Sequence, residues 1–323
     1  MSAPTTSVPR ITVDLSAPPA ERWNELSAFK DQAQRMTASY LQDLGGSEEW
    51  RPLVRAYSEA FIAPSLMAEV ESIAALIERP TDEVLIANLY YDAFRALMGC
   101  TAVALEHDDG PLHARNLDWW TERNELSKFT LITDFVGAPA GPFSTVGWPG
   151  FVGAFSGVAK GRFAITLNAV ISEDPPQLAP SSALKLREVF ETAPTFEAAV
   201  ATLESVTIAS DCLLLVTGTR PDQRVVIERT STRSALRTQV GGPLVVTNDY
   251  RMLEDTGWDG RDVGELHAST CTRFDRALYL ASREEPSPKM CLAMLKDPKV
   301  KMMITVQQMV MQASTGLLEV VLP

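Results

Sequence analysis

The spacing of hydrophobic residues divides the chain into two parts near position 100. Between about residues 19 and 97, apolar residues recur three and four positions apart, most clearly at 20–36, 65–78 and 82–97. This spacing is typical of amphipathic helices. From Cys100 onward, apolar residues alternate with a period of two, which predicts short strands. We therefore expect a helical N-terminal segment followed by a part rich in β-sheet.

The predicted strands are short and are separated mainly by turn residues. They lie at residues 10–15, 100–106, 111–117, 128–136, 150–155, 162–170, 212–218, 223–229, 243–248, 303–312 and 316–323. Helices are predicted among them at residues 181–191, 195–206 and 270–282. Short connections favour antiparallel pairing over parallel βαβ units, so the expected fold class is α+β.

Composition and charge narrow the classes of function. The 323-residue chain has a formal net charge of -12, which disfavours binding to the phosphate backbone of nucleic acids. It has no apolar run long enough for a membrane helix and no signal-peptide pattern, so we expect a cytoplasmic protein without an integral membrane span. The four cysteines are scattered and form no metal-binding pair, so no metal site is predicted.

The segment from Gly99 to Trp120 is predicted to form a β-hairpin with chemistry at one end. Its turn signal is the run at residues 107–111, His-Asp-Asp-Gly-Pro. A turn centred on Asp109 places Cys100 directly opposite Asp118, with Arg115 nearby. A register slip of one residue would place Leu117 or Trp119 opposite Cys100 instead.

This cluster suggests a cysteine nucleophile, although other interpretations remain. The nucleophile's own α-amino group could act as the base if the bond between Gly99 and Cys100 were cleaved, and this chemistry needs no cofactor. Asp118 would then hold the ammonium group, while Arg115 would favour the thiolate. A Cys–His hydrolase would instead need His113 or His267 beside the thiol. The plainest alternative is a buried cysteine beside an ion pair at a strand end.

Several motifs in the chain resemble the acid ceramidase and N-acylethanolamine acid amidase family of N-terminal nucleophile hydrolases, a group that includes the choloylglycine hydrolases. Cys100-Thr101 is similar to the start of the family's mature subunit, and residues 114–118 (Ala-Arg-Asn-Leu-Asp) to the motif one hairpin later. Residues 246–250 (Val-Thr-Asn-Asp-Tyr) resemble a third family motif. Residues 272–277 (Thr-Arg-Phe-Asp-Arg-Ala) resemble a segment of choloylglycine hydrolases.

The resemblance implies a fold and a set of site residues. The implied fold is a four-layer αββα N-terminal nucleophile hydrolase with a helical N-terminal segment. Residues 1–99 would form one subunit and residues 100–323 the catalytic one, and the two fragments would stay associated after cleavage. The implied catalytic residues are the nucleophile, its two hairpin partners, an oxyanion-hole donor and a further arginine, namely Cys100, Arg115, Asp118, Asn248 and Arg273.

The implied reaction is hydrolysis of a small-molecule N-acyl amide through a thioester on Cys100, and the family resemblance implies a fatty-acyl group. Trp119 and Asn168 are expected to bind substrate, and residues 85–97 with Trp119 and Trp120 to line an apolar pocket. The chain departs from the family at Ala169, where ceramidase and the amidase have a glutamate. Two alternatives stay open: transfer of the acyl group to an amine, and an unprocessed, inactive protein that binds acyl ligands.

Overall fold

A computed structural model describes residues 8–94, 98–121, 123, 125–175, 177–253 and 269–323, and only the backbone of residues 93 and 94. The helices are α1 Lys30–Asp43, α2 Arg51–Phe61, α3 Pro64–Leu76, α4 Thr81–Asn88, α5 Tyr90–Phe94, α6 Ser182–Thr192, α7 Phe196–Ser205, α8 Thr270–Ala281 and α9 Pro288–Leu295. The strands are β1 Arg10–Asp14, β2 Met98–Leu105, β3 Leu112–Trp119, β4 Leu131–Val136, β5 Phe143–Gly147, β6 Ser156–Ala159, β7 Phe163–Ala169, β8 Cys212–Thr217, β9 Arg224–Arg229, β10 Ser234–Arg237, β11 Leu244–Val246, β12 Thr305–Gln312 and β13 Leu317–Val321.

The strands form two sheets. An eight-stranded sheet has the order β1-β4-β5-β6-β7-β8-β9-β10, and a five-stranded sheet has the order β11-β2-β3-β12-β13. Pairing is antiparallel throughout, except that β1 runs parallel to β4. The short connections thus predicted the strand directions correctly, apart from the N-terminal strand, whose partner lies more than a hundred residues later in the chain.

The two sheets pack face to face, and helices cover their outer faces. Between the sheets, Ala102 and Ala104 of β2 pack with Leu213 and Leu215 of β8. On the outer face of the smaller sheet, Val103 packs in a cluster with residues of α8 and α9. The helices α1 to α4, α6 and α7 share the largest core cluster with the eight-stranded sheet. This is the αββα layering expected from the sequence.

The N-terminal segment is built into the same core. Strand β1 is an edge strand of the larger sheet, and Met98 and Gly99 already belong to β2. The helix expected at residues 20–36 begins as two 3₁₀ turns and becomes α-helical only at Lys30. Within the described ranges, no helix combines the length and the apolar character needed to cross a bilayer.

Other sequence predictions were wrong in detail. Residues 150–155, predicted as a strand, form a turn at Gly150 followed by irregular backbone, because the amide of Phe151 closes a turn onto the carbonyl of Trp148 and Gly150 has a positive φ of 86°. The strand begins only at Ser156. Helices α2 and α9 and strands β5 and β10 were not predicted.

Candidate active site

The β2–β3 hairpin carries Cys100, but its register differs by one residue from the predicted one. Cys100 pairs with Leu117, and Gly99 pairs with Asp118. The reason lies in the turn, where the amide of Gly110 donates to the carbonyl of His107 at 2.9 Å. The turn is therefore centred between Asp108 and Asp109 rather than on Asp109. The predicted pairing of Cys100 with Asp118 was wrong, and the one-residue slip is what occurs.

This register places the thiol and the carboxylate on opposite faces of the sheet. Side chains alternate along a strand, so Cys100, opposite Leu117, faces the space between the two sheets. Asp118 faces the helices, beside Gly99. A β-carbon at position 99 would lie 3.5 Å from the Asp118 Oδ2 and 2.8 Å from the Met302 Sδ. The Asp118 carboxylate thus lies beside the peptide that joins Gly99 to Cys100.

Each heteroatom of Cys100 has a partner from a different element. On the thiol, the Arg115 Nη2 lies 3.2 Å from Sγ. On the backbone nitrogen, the Asn248 Oδ1 accepts its hydrogen bond at 3.0 Å. On the carbonyl, the Arg273 Nη1 donates at 2.5 Å. Because Cys100 is completely buried, these contacts are shielded from water and are stronger than they would be at the surface.

Arg115 is fixed by backbone carbonyls of the other sheet. Its Nη1 donates to the carbonyl of Phe155 and its Nη2 to the carbonyl of Leu167, each at 2.5 Å. It also donates to the hydroxyl of Ser156. No carboxylate among the described residues pairs with this guanidinium, so its charge remains available to the sulfur.

Asn248 follows β11 and is held from several sides. Its backbone amide donates to the Thr270 hydroxyl at 2.9 Å, and its Nδ2 donates to the Ala169 carbonyl at 2.7 Å. The Arg273 Nη2 donates to its Oδ1 at 2.7 Å. In the uncleaved chain this amide therefore binds the nitrogen of Cys100 and a strand carbonyl. Its role as an oxyanion donor stays a prediction.

Asp118 is a buried carboxyl group with only one of its oxygens hydrogen-bonded. The Thr305 hydroxyl donates to Oδ1 at 2.5 Å, while Oδ2 has no hydrogen-bond partner among the described residues. Burial raises the pKa of Asp118 above its usual value, and the charges of Arg273 and Arg115 and the Thr305 hydrogen bond offset part of that rise. Burial also lowers the pKa of Arg273, an effect that the negative charge of Asp118 opposes. An added ammonium group beside Oδ2 would supply the missing partner.

Of the two residues expected to bind substrate, Trp119 follows Asp118 on β3 and Asn168 lies on β7 of the other sheet. Trp119 is buried in an aromatic cluster with Tyr90, Trp148 and Phe155, and its Nε1 has no hydrogen-bond partner within the described part of the chain. Asn168 donates from Nδ2 to the carbonyls of residues 246 and 247, at 3.3 and 2.9 Å, and so ties β7 to the loop that carries Asn248.

The residues predicted to line one apolar pocket lie in two separate pockets. Ile86, Leu89 and Tyr90 line a pocket of about 250 Å³, while Trp120 lines a different pocket of about 580 Å³. Residues 95–97, also included in that prediction, lie outside the described residues.

The histidine alternative finds no support in the position of His113. His113 pairs with Ala104, four residues from Cys100 along β2, or about 13 Å at the usual rise of a strand. Its ring nitrogens lie 3.1 Å from the Thr217 hydroxyl and 2.8 Å from the Thr166 hydroxyl. Burial lowers the pKa of His113 to about 3, with Arg115 adding to the effect. The other candidate base, His267, lies outside the described residues.

Sequence reasoning missed three residues that support the site. Thr305 binds Asp118, Thr270 holds the amide of Asn248, and Met302 covers Gly99. Nothing in the local pattern distinguishes these residues, because each acts only through elements that meet in the folded chain. Among the described residues, no three His, Cys, Asp or Glu side chains are grouped closely enough to hold a metal ion.

Comparison with known proteins supports the resemblance inferred from the motifs. No protein-family model matches the chain. It is 26% identical over 260 residues to the acid ceramidase of Balaenoptera acutorostrata scammoni, covering 70% of this chain and 65% of the relative. It is 26% identical to human acid ceramidase over 184 residues, which cover 50% of this chain and 45% of that protein. The chain thus spans about half to two thirds of the length of these relatives.

A third relative and a solved structure point the same way. The Caenorhabditis elegans N-acylethanolamine-hydrolyzing acid amidase is 24% identical over 240 residues, covering 67% of this chain and 66% of the relative. The solved structure of a Caenorhabditis elegans ortholog of that amidase matches with a TM-score of 0.51 and 22% identity, covering 66% of this chain and 92% of the other. The chain therefore has the fold of that amidase, and its similarity to acid ceramidases and these amidases is confirmed.

Proposed function

We propose that this protein is a self-processing cysteine amidase that hydrolyses N-acyl amides through a thioester on Cys100. The observation that carries the proposal is the arrangement around Cys100, whose sulfur, nitrogen and carbonyl oxygen are bound by Arg115, Asn248 and Arg273 respectively. Any buried residue needs partners for its backbone groups, but a cysteine that only fills space in a core has no need of a guanidinium group on its sulfur. The relatives named as amidases and ceramidases act on amide bonds, in agreement with this chemistry.

The first reaction would remove residues 1–99 from the nucleophile. The Cys100 sulfur attacks the Gly99 carbonyl carbon, the carbon–nitrogen bond breaks, and the nitrogen of Cys100 takes up the thiol proton. Water then hydrolyses the resulting thioester, which leaves a carboxylate on Gly99 and a free thiol and α-amine on Cys100. Glycine at position 99 suits this step, since Met302 and Asp118 lie too close to the position of a β-carbon to leave room for a side chain.

The new α-amine would be held by groups already in place. Asn248 Oδ1 accepts a hydrogen bond from this nitrogen before cleavage. The Asp118 Oδ2, which lacks a partner among the described residues, lies beside the same peptide and would accept another. The α-amino group has an ordinary pKa near 8, which suits a base that works near neutral pH.

The second reaction would repeat this chemistry on a substrate. The α-amine takes the thiol proton while the sulfur attacks the amide carbonyl, and the same proton then passes to the leaving amine. Water hydrolyses the acyl thioester, releases the carboxylic acid and restores the thiol. Arg115, which has no carboxylate partner among the described residues, stabilises the thiolate. The Nε1 of Trp119, which has no hydrogen-bond partner among the described residues, supports its predicted contact with substrate.

Association of the two fragments after cleavage is supported by contacts that cross the cleavage point. Strand β1 pairs with β4 along its whole length, and the Glu69 carboxylate in α3 accepts a hydrogen bond from the Arg187 Nη2 in α6 and forms an ion pair with its Nη1, each at 2.8 Å. Both ion-pair partners are almost completely buried. We therefore propose that fragments 1–99 and 100–323 co-elute on gel filtration and separate only in denaturant.

Intact mass spectrometry tests the proposal directly. We expect the purified wild-type protein to mature into fragments 1–99 and 100–323, with Cys100 at the new N-terminus, and the Cys100→Ala variant to remain whole. The matured protein should release dodecanoic acid from N-dodecanoylethanolamine, and an added primary amine reveals any acyl transfer as a new amide. A wild-type chain that stays uncut, and whose Cys100 is not acylated by an activated fatty acyl ester, would refute it.

A further inference from the structure

A pocket of about 580 Å³ opens at the end of strand β2 where cleavage would occur. Its floor includes Arg273, which donates to the Cys100 carbonyl, and Met302, whose sulfur lies against Gly99. One side chain therefore separates the pocket from the peptide bond to be cleaved. The pocket lies on the face of the sheet that carries Asp118. Its volume is in the range of small-molecule sites.

Two lysines give this pocket a positive charge. Lys299 and Lys301 line it together with Arg273, and no carboxylate lines it among the described residues. Within those residues, neither ammonium group has a carboxylate at salt-bridge distance. The nearest acidic residue in sequence, Asp297, receives a 2.6 Å ion pair from Arg276. A local concentration of cationic groups is unexpected in a chain with a net charge of -12, and three of its eight lysines lie within residues 296–301.

The rest of the lining is mostly apolar, apart from Ser269 and Thr272. Trp120 and Met303 are largely exposed, although each is a large apolar side chain. Exposed apolar groups beside two ammonium groups, neither with a carboxylate at salt-bridge distance among the described residues, suit a ligand with both a carbon skeleton and a negative charge. A neutral alcohol head group would make no use of the two ammonium groups.

We propose that this pocket binds the amine-side head group of the substrate and selects N-acyl amino acids, whose free carboxylate would lie between Lys299 and Lys301. This inference rests on the proposed amidase function and specifies its substrate class. The scissile carbonyl would reach the Cys100 sulfur past the position now held by Gly99, while the amino-acid carboxylate points outward to the rim. The leaving group released on hydrolysis is then a free amino acid.

A pair of substrates with one acyl chain tests the charge preference. Matured wild-type protein is assayed with N-dodecanoylglycine and with N-dodecanoylethanolamine, which differ mainly in the carboxylate. We expect the Lys299→Gln/Lys301→Gln double variant to raise KM for N-dodecanoylglycine about tenfold and to leave the ethanolamide unchanged, since each partly exposed ion pair contributes modestly. Added salt should raise KM for the glycine conjugate alone.

The Lys296→Gln variant is the matched control, because Lys296 carries the same charge nearby but does not line the pocket. It should behave as wild type with both substrates. If the double variant alters both substrates equally, or neither, the head-group inference is wrong while the amidase function stands. If the matured wild-type protein hydrolyses neither substrate, the amidase function and the inference both fail.

Discussion

Two clusters of buried charge in this protein differ in how completely their charged groups are paired. In the Glu69 cluster, formed by Arg22, Trp23, Glu69 and Arg187, both carboxylate oxygens are hydrogen-bonded, at 2.7 to 2.8 Å. In the Cys100 cluster, the one carboxylate, Asp118, has an oxygen without a hydrogen-bond partner among the described residues. Arg115 binds a sulfur and backbone carbonyls and has no carboxylate partner among the described residues, and Arg273 donates to the Cys100 carbonyl and to the Asn248 amide oxygen.

The pKa values of the two carboxyl groups reflect this difference. Burial would raise the pKa of Glu69, but the charge and hydrogen bonds of Arg187, together with Trp23 and Arg22, outweigh it and lower the value. For Asp118, burial dominates and raises the pKa. A buried charge with all of its partners stabilises the fold, whereas an incompletely paired one costs stability and is kept where chemistry requires it.

The largest expected effect on stability is at Glu69. Replacement by Gln removes the charge that pairs with Arg187 and leaves that guanidinium buried, so we expect the free energy of unfolding to fall by about 3–5 kcal/mol. Urea unfolding followed by circular dichroism measures this loss. Hydrolytic activity per folded molecule should remain close to that of the wild type, because Glu69 is not part of the Cys100 cluster.

Glu191→Gln is the control for this substitution. Glu191 binds the Nε of the same arginine at 2.7 Å but is partly exposed, so its loss should cost only about 0.5–1 kcal/mol. Equal losses for the two variants would show that the complete pairing of Glu69 has no special value.

The lowered pKa of Glu69 also predicts a dependence of stability on pH. The contribution of this carboxylate is fully present above its unfolded value of about 4.5 and is lost as the pH falls through the lower folded value. Melting temperatures measured between pH 7 and pH 3 should therefore decrease less steeply in Glu69→Gln than in the wild type. Parallel curves would contradict the assigned role.

Replacement of Asp118 is expected to change the rate of hydrolysis. Asp118→Asn removes the charge proposed to hold the α-amine, so we expect hydrolysis by matured protein to fall by roughly 10²–10³-fold, as for loss of one electrostatic partner in an active site. Steady-state rates with N-dodecanoylethanolamine measure the loss, and intact mass shows whether cleavage slows as well. Activity within a few-fold of wild type would remove Asp118 from the mechanism.

The same variant should retain or gain stability at neutral pH. Because the folded-state pKa of Asp118 is raised, its protonated form stabilises the fold at low pH, and that stability is lost as the pH rises from about 3.8 through the folded value. Asparagine is neutral and avoids this loss. A melting temperature at pH 7 well below that of the wild type would mean that the ionised carboxylate stabilises the fold.

The smallest expected effect on activity is at His113. Its low pKa keeps the ring neutral, and both nitrogens face threonine hydroxyls. We expect His113→Gln to leave kcat within about threefold while destabilising the fold by about 1–3 kcal/mol, through imperfect replacement of two buried hydrogen bonds. A loss of more than a hundredfold in kcat in folded protein would favour a Cys–His mechanism.

Local patterns in the sequence predicted much of the architecture. Apolar residues with a period of two identified most of the strands, and the helices α6, α7 and α8 followed from their spacing. The turn at residues 107–111 correctly predicted the hairpin that carries Cys100. Short connections implied antiparallel pairing, since a chain cannot make a parallel crossover in a few residues. These features depend on neighbouring residues alone.

What the sequence by itself determined was the candidate nucleophile, its hairpin and the motifs shared with amidases. The tertiary structure decided the hairpin register, which placed Asp118 against Gly99 rather than opposite the thiol. It also decided that Asn248 and Arg273, about 150 and 170 residues further along the chain, contact Cys100. The physical reason is that a register slip of one residue hardly changes local preferences but exchanges the two faces of a strand. Contacts between distant segments depend on how the sheets and helices pack, which no local pattern encodes.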